Sequence, residues 1–237
     1  MSLFATRIVQ WQKQHGRHNL PWQGADAYRV WLSEIMLQQT QVVTVIPYYQ
    51  RFVESFPTIA ALAAATTDEV LSHWSGLGYY ARGRNLHKAA KIVVEQYRGE
   101  FPRQFEHILA LPGIGRSTAA AICALAYHER RSILDGNVKR VLARYLGISG
   151  ATSNKMVENL LWQHADALLP HHEVATYIQA QMDMGATICT RSKPKCGVCP
   201  VQSDCVALQG NRVAELPTRR VRKAVPEKNT TLPLRST

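Results

Sequence analysis

Four cysteines close together restrict what this chain can fold into more than any other feature. Cys189, Cys196, Cys199 and Cys205 follow the spacing C-x6-C-x2-C-x5-C in one short segment. The first sixteen residues mix Arg7, Gln10, Gln12, Lys13 and Gln14 into their apolar positions. A secretory signal is therefore not expected, and the expected location is the cytoplasm, where thiols stay reduced. Reduced cysteines at this density read as metal ligands rather than disulfides. All-Cys ligation suits a [4Fe–4S] cluster or a tetrahedral zinc, and spacing alone leaves both open. Cys123 stands apart in an alanine-rich run and reads as a small buried residue.

Charge narrows the partner. Lys and Arg outnumber Asp and Glu by 28 to 17, a formal net charge of +11 on 237 residues. With 46% hydrophobic residues the chain can bury a sizeable core, so the surplus belongs to a folded surface and points to a polyanion. No apolar run approaches the roughly 20 residues of a membrane-spanning helix, so no membrane partner is expected. Between the first two cysteines lie Arg191, Lys193 and Lys195, a cationic loop suited to gripping phosphates.

Apolar periodicity is helical almost throughout, and the expected fold class is all-α. Tyr28, Trp31, Leu32 and Ile35 share one face, with Glu34, Gln38 and Gln41 on another. Val70, Leu71 and Trp74 form a stripe that Gly76 and Gly78 stop, and Val138, Val141, Leu142 and Tyr145 form a further one. Residues 42–46 are β-branched and read as either helix or short strand. From 211 the pattern dissolves into a segment with Arg219, Arg220, Arg222 and Lys223, expected to be a basic, poorly ordered tail.

Residues 111–115 (LPGIG) lie between two helical patterns. Gly113 and Gly115 permit a tight turn with exposed amides directly before a helix, an arrangement that attracts a DNA phosphate. A turn of this kind also serves simple hairpin geometry, so alone it decides little.

Hairpin and cysteine segment together resemble the helix–hairpin–helix DNA glycosylases, endonuclease III among them. Asp135 follows Gly115 by twenty residues in the run 133–141 (ILDGNVKRV), the placement of that superfamily's catalytic aspartate. The runs 31–41 (WLSEIMLQQTQ) and 76–86 (GLGYYARGRNL) resemble the adenine DNA glycosylase branch, and the likeness extends over roughly residues 11–210. Endonuclease III-like members carry a lysine soon after the hairpin that forms a Schiff base. Ser117 stands in that place, and a hydroxyl cannot form an imine, so base hydrolysis without efficient strand cleavage is expected.

The resemblance implies a monofunctional enzyme that removes adenine mispaired with 8-oxoguanine or guanine from duplex DNA, acting as a monomer with a [4Fe–4S] cluster on the four cysteines. Glu34 becomes the acid that protonates the adenine ring, and Asp135 the anion beside the sugar. Asn137 orients Asp135, and Ser117 supports the same network. Gln38, Gln39 and Thr40 fill the gap left by base flipping, Tyr79 is an aromatic wedge beside the opposite base, and Arg82 in the same run contacts DNA. The surrounding Trp31, Ile35 and Leu37 favour a protonated Glu34, while a helix start near Asn137 favours a charged Asp135. Taken without the resemblance, Glu34 is a solvated helix-face residue, Asp135 or Asn137 an N-cap, and Tyr79 part of a glycine-rich turn. The implied organisation is a six-helix barrel over residues 21–128, a cluster module of residues 1–20 with 129–210, and the tail of residues 211–237. Members of the branch also carry a Nudix-like C-terminal domain, which is not expected within this sequence. Rival readings are an endonuclease III-like pyrimidine glycosylase/lyase, a non-catalytic DNA-binding member of the fold, and a zinc-binding regulator.

Overall fold

The computed structural model describes residues 2–218. Among them the chain forms α1 (Leu3–His15), α2 (Ala27–Leu37), α3 (Val42–Ser55), α4 (Ile59–Ala64), α5 (Thr67–Trp74), α6 (Ala81–Tyr97), α7 (Phe105–Leu109) and α8 (Arg116–Tyr127). After these come α9 (Gly136–Tyr145), α10 (Lys155–Leu168), α11 (Val174–Thr187) and the short α12 (Val206–Gln209). No β-strand is present among the described residues, only a lone bridge between Ala151 and Thr218. The fold is all-α, and no described helix is long and apolar enough to cross a membrane.

Local chemistry sets the boundaries. Thr66 and Glu69 form a reciprocal capping box that starts α5, and Asp26 caps α2 by accepting from the Arg29 amide. The β-branched stretch at 42–46 is helical, not extended: Val45, Tyr49 and Phe52 fall on one buried face of α3, and that packing outweighs strand propensity.

The helices enclose two apolar cores. One gathers Trp31, Phe52, Leu62, Trp74, Leu86 and Ile108; the other gathers Phe4, Ile8, Leu142, Leu161, Tyr177 and Met184. Helix α8 serves both, giving Ala119, Ile122 and Cys123 to the first and Ala120, Ala121 and Ala124 to the second. The two sets lie on different faces of α8, and five of the six side chains are small, which lets both cores approach one helix closely.

The second core is built from both ends of the described chain. Helix α1 lies along α11, where Asp183 is 1% exposed. Asp183 accepts from the Arg17 backbone N–H and Nε (both 2.8 Å), Arg17 Nη2 (2.5 Å), Gln12 Nε2 (3.0 Å) and Gln179 Nε2 (2.8 Å). A buried carboxylate is tolerated only when its lone pairs are met in this way.

Residues 211–218 differ from the poorly ordered tail expected of them. Leu216 is buried, its carbonyl accepts from Arg144 Nε at 2.8 Å, and Arg212 reaches Ser149 Oγ at 2.7 Å. The basic residues Arg219, Arg220, Arg222 and Lys223 lie outside the described residues.

Candidate active site

Two carboxylates from different helices lie close enough to feel each other's charge. Glu34 projects from the last turn of α2, and Asp135 is the N-cap of α9, its Oδ1 accepting from the Val138 amide at 2.8 Å. Glu34 retains partial contact with solvent and so remains reachable, while the protein packed around it strips most of its hydration. Burial, and then the negative charge of Asp135, push its carboxyl up to about 8. At neutral pH Glu34 is therefore mostly a proton donor. Asp135 departs from expectation: its own burial raises it above the ordinary aspartate value, and the Val138 and Asn137 amides, Arg140 and the Asn137 side chain offset that only in part. Burial outweighs the helix end.

Ser117 and Asn137 brace this aspartate from two sides. Ser117 Oγ, in the first turn of α8, accepts from the Leu134 amide at 2.9 Å and so fixes the backbone immediately before Asp135. Asn137 Nδ2 makes a long contact of 3.5 Å to Asp135 Oδ2, and its Oδ1 accepts from Arg140 Nη2 at 2.8 Å.

Sequence reasoning missed three supporting residues. Arg140 also donates from Nη2 to the Gly185 carbonyl (2.7 Å) and from Nε to the Cys189 carbonyl (2.7 Å). Arg144, two turns beyond Asn137, is 3% exposed and donates to the Thr190 carbonyl at 2.7 Å. Gly185 on α11 faces Asn137 directly. The signal for the two arginines was present: Asn137, Arg140 and Arg144 recur at i, i+3 and i+7, one face of α9.

The four cysteines, each half-buried, line one small cavity with Arg144, Ile188, Pro194 and Leu208. The pocket supplies sulfur ligands, an apolar wall and a cation: Arg144 Nη1 lies 3.4 Å from Cys189 Sγ. Burial pushes the Cys199 thiol up to about 11, so bound iron is what would hold it as thiolate at neutral pH. Arg191, Lys193 and Lys195 stay exposed while their loop is pinned by the Lys195 amide on the Ile188 carbonyl at 2.9 Å.

In the hairpin between α7 and α8, Gly113 adopts φ +82°, the left-handed region that favours glycine, and a Cβ there would meet Asn85 Cβ at 3.0 Å. A Cβ on Gly115 would meet nothing within 4 Å. As the uncapped N-cap of α8, Gly115 leaves the first amides of that helix open to an approaching group. Gln39 and Tyr79 are exposed and both left-handed, with φ 60° and 49°. They line one depression with Gln38, Tyr80, Arg82 and Arg84. Gln38 Nε2 reaches the Gly113 carbonyl at 3.4 Å and Thr118 Oγ1 at 3.5 Å, linking this depression to the hairpin. Thr40 Oγ1 accepts from Arg82 Nη2 at 3.1 Å, both side chains half-buried.

Residues 32–166 match the HhH-GPD superfamily of base excision DNA repair proteins, and residues 189–205 match the iron–sulfur binding domain of endonuclease III. The cysteine segment accordingly holds an iron–sulfur cofactor, a [4Fe–4S] cluster. An adenine DNA glycosylase of Buchnera aphidicola subsp. Acyrthosiphon pisum is 45% identical over 95% of this chain and 65% of its own length. One from Mycolicibacterium smegmatis is 38% identical over 85% of this chain and 68% of its own. The structure of a thermostable thymine-DNA glycosylase superposes with a TM-score of 0.79 at 28% identity, covering 88% of this chain and 96% of that one. The chain thus spans just under two thirds of the Buchnera relative. By its matched domains and by these relatives, the chain belongs to the HhH-GPD superfamily of base excision DNA repair proteins, and within it to the adenine DNA glycosylases.

Proposed function

We propose that the chain hydrolyses the N-glycosidic bond of adenine mispaired with 8-oxoguanine or guanine in duplex DNA, leaving an abasic sugar and an intact strand. The observation that carries this reading is Glu34, a reachable carboxylic acid held up to about 8 next to a second carboxylate. Adenine is stacked in a duplex and has to rotate out to reach such a group. Glu34 then gives its proton to the ring and makes the base a better leaving group, a contribution of about 10²–10⁴-fold in typical enzymes. Asp135, steadied by the Val138 amide, Asn137 and Ser117, stabilises the positive charge that develops on the sugar. Water completes the hydrolysis; Ser117, standing where a lyase has its amine, supports the monofunctional outcome.

The duplex would lie across the cleft between the barrel of residues 21–128 and the module of residues 1–20 with 129–210. The open amides after Gly113 and Gly115 and the exposed Arg191, Lys193 and Lys195 would take phosphates. Gln38, Gln39 and Tyr79 would occupy the gap beside the opposite base. Cys189, Cys196, Cys199 and Cys205 would hold the cluster, which supplies a four-point cross-link for that cationic loop.

Single-turnover adenine release on duplexes carrying A opposite 8-oxoguanine, G, C or T, developed with and without alkali, tests the reading. Alkali-dependent cleavage at adenine, fastest opposite 8-oxoguanine or G, is expected. No release from any duplex by protein with an intact cluster would overturn it.

A further inference from the structure

Arg82 stands in the run 76–86, which the sequence placed among the DNA contacts. Its guanidinium turns inward. Nη1 donates to the carbonyls of Ile35 (3.1 Å), Met36 (2.8 Å) and Gln38 (2.5 Å), the open end of α2. Nη2 donates to Thr40 Oγ1 (3.1 Å) and to the carbonyls of Leu77 and Gly78 (both 3.2 Å). One planar group therefore clamps two turns that are distant in sequence.

Two of these acceptors have a particular position. The Gln38 carbonyl belongs to the peptide that leads into Gln39, and the Gly78 carbonyl to the peptide that leads into Tyr79. Orienting a peptide plane fixes the φ of the residue that follows it, and both following residues are left-handed without being glycine. That conformation is sparsely populated and persists only when its surroundings over-determine it. Burial does not supply the constraint at Tyr79, which is 61% exposed. Arg82 does, through the two carbonyls and through its guanidinium placed 5.5 Å from the ring centroids of both Tyr79 and Trp74.

We infer that Arg82 is a positioning residue that sets Gln39 and Tyr79 jointly for reading the base opposite the excised one; this rests on the adenine glycosylase reading above. A lysine cannot replace it, because a compact ammonium has no fork with which to span two turns. Arg82 bonds to neither Glu34 nor Asp135 and does not contribute to the raised Glu34 carboxyl, so its loss should leave the proton donor's titration in place.

The test compares the full chain with Arg82→Met, Arg82→Lys, Tyr79→Ala and the Arg82→Met/Tyr79→Ala double variant. Each is measured for iron content, melting temperature, mismatch-duplex affinity, and single-turnover excision opposite 8-oxoguanine, G and C. Both Arg82 variants should lose about tenfold or more in affinity and in opposite-base preference, the scale of a lost stacking contact. The double variant should be no worse than Arg82→Met, since the two changes disable one device. Iron content and the pH midpoint of excision at saturating enzyme should stay where they are. Preference retained in either folded Arg82 variant, full rescue by lysine, additive losses, or a moved pH midpoint would each overturn the inference. If the unaltered chain releases no adenine, the activity reading fails. The affinity contrast between A·8-oxoguanine and A·T duplexes then decides the role of Arg82: a contrast lost in Arg82→Met supports it, and a contrast retained or absent throughout refutes it.

Discussion

Gly185 and Asn137 touch so closely that a Cβ on Gly185 would stand 2.6 Å from Asn137 Cβ and 3.2 Å from its Cα. The neighbour is not the far end of a flexible chain, so a methyl group there has to push the first turn of α9 aside. Gly185→Ala should therefore slow single-turnover excision by about tenfold or more, the kind of loss a 1 Å misplacement causes. Mismatch affinity should hold within a factor of about three, well under 1 kcal/mol. Equal excision rates in the two proteins would show that α9 relaxes without moving Asp135.

Glu34→Gln keeps the shape of the acid and removes its proton. Excision should fall by about 10²–10⁴-fold while mismatch binding survives. In the unaltered protein the rate should decline as pH rises through about 8, because the donor is the protonated form. The sign for stability is the same: a carboxyl raised in the folded state stabilises most below its unfolded value near 4.5, and that contribution is lost as pH rises towards 8. Glu34→Gln should thus melt higher than the unaltered chain at pH 8, with little difference at pH 4. A melting-temperature gap independent of pH would refute the burial argument.

Ser117 can be tested twice. Ser117→Ala leaves the Leu134 amide without its acceptor and should cost about 1–3 kcal/mol in a denaturant melt. Ser117→Lys places an amine beside the same loop, and borohydride should then trap some protein covalently on abasic DNA. Absence of any trapped complex would mean that position 117 does not face the sugar.

Arg144→Met removes the buried cation next to Cys189 Sγ together with its bond to the Thr190 carbonyl. Purified protein should carry less iron per chain and lose its brown colour faster in air. Undiminished iron content would show that the cysteine segment holds its shape without α9.

Legibility in the sequence followed the way each residue is used. Helices with one wet face, such as α5 with its Thr66–Glu69 box, announced themselves by period and cap. Helix α11 did not, because it is enclosed on several sides and hides Gln181, Asp183 and Gly185 among its apolar residues, which blurs any stripe. Glu34 and Asp135 were readable as types in a pattern, but the direction of the Asp135 shift depends on how much protein surrounds it. The carbonyl partners of Arg82 were not readable, because an arginine aimed at phosphates and one aimed at carbonyls look alike in a string of letters. Residues 211–218 lack a periodic pattern, and their order comes from Leu216 and one arginine bond on a distant helix.

Pairing of α1 with α11 has a consequence for synthesis. Phe4, Ile8 and Val9 leave the ribosome well before the helix that covers them, which is made only after residue 174. Residues 20–123 can close the first core as a continuous stretch in the meantime. Through that interval the nascent chain therefore carries an uncovered apolar arm, a target for holdase chaperones until Asp183 arrives to engage Arg17.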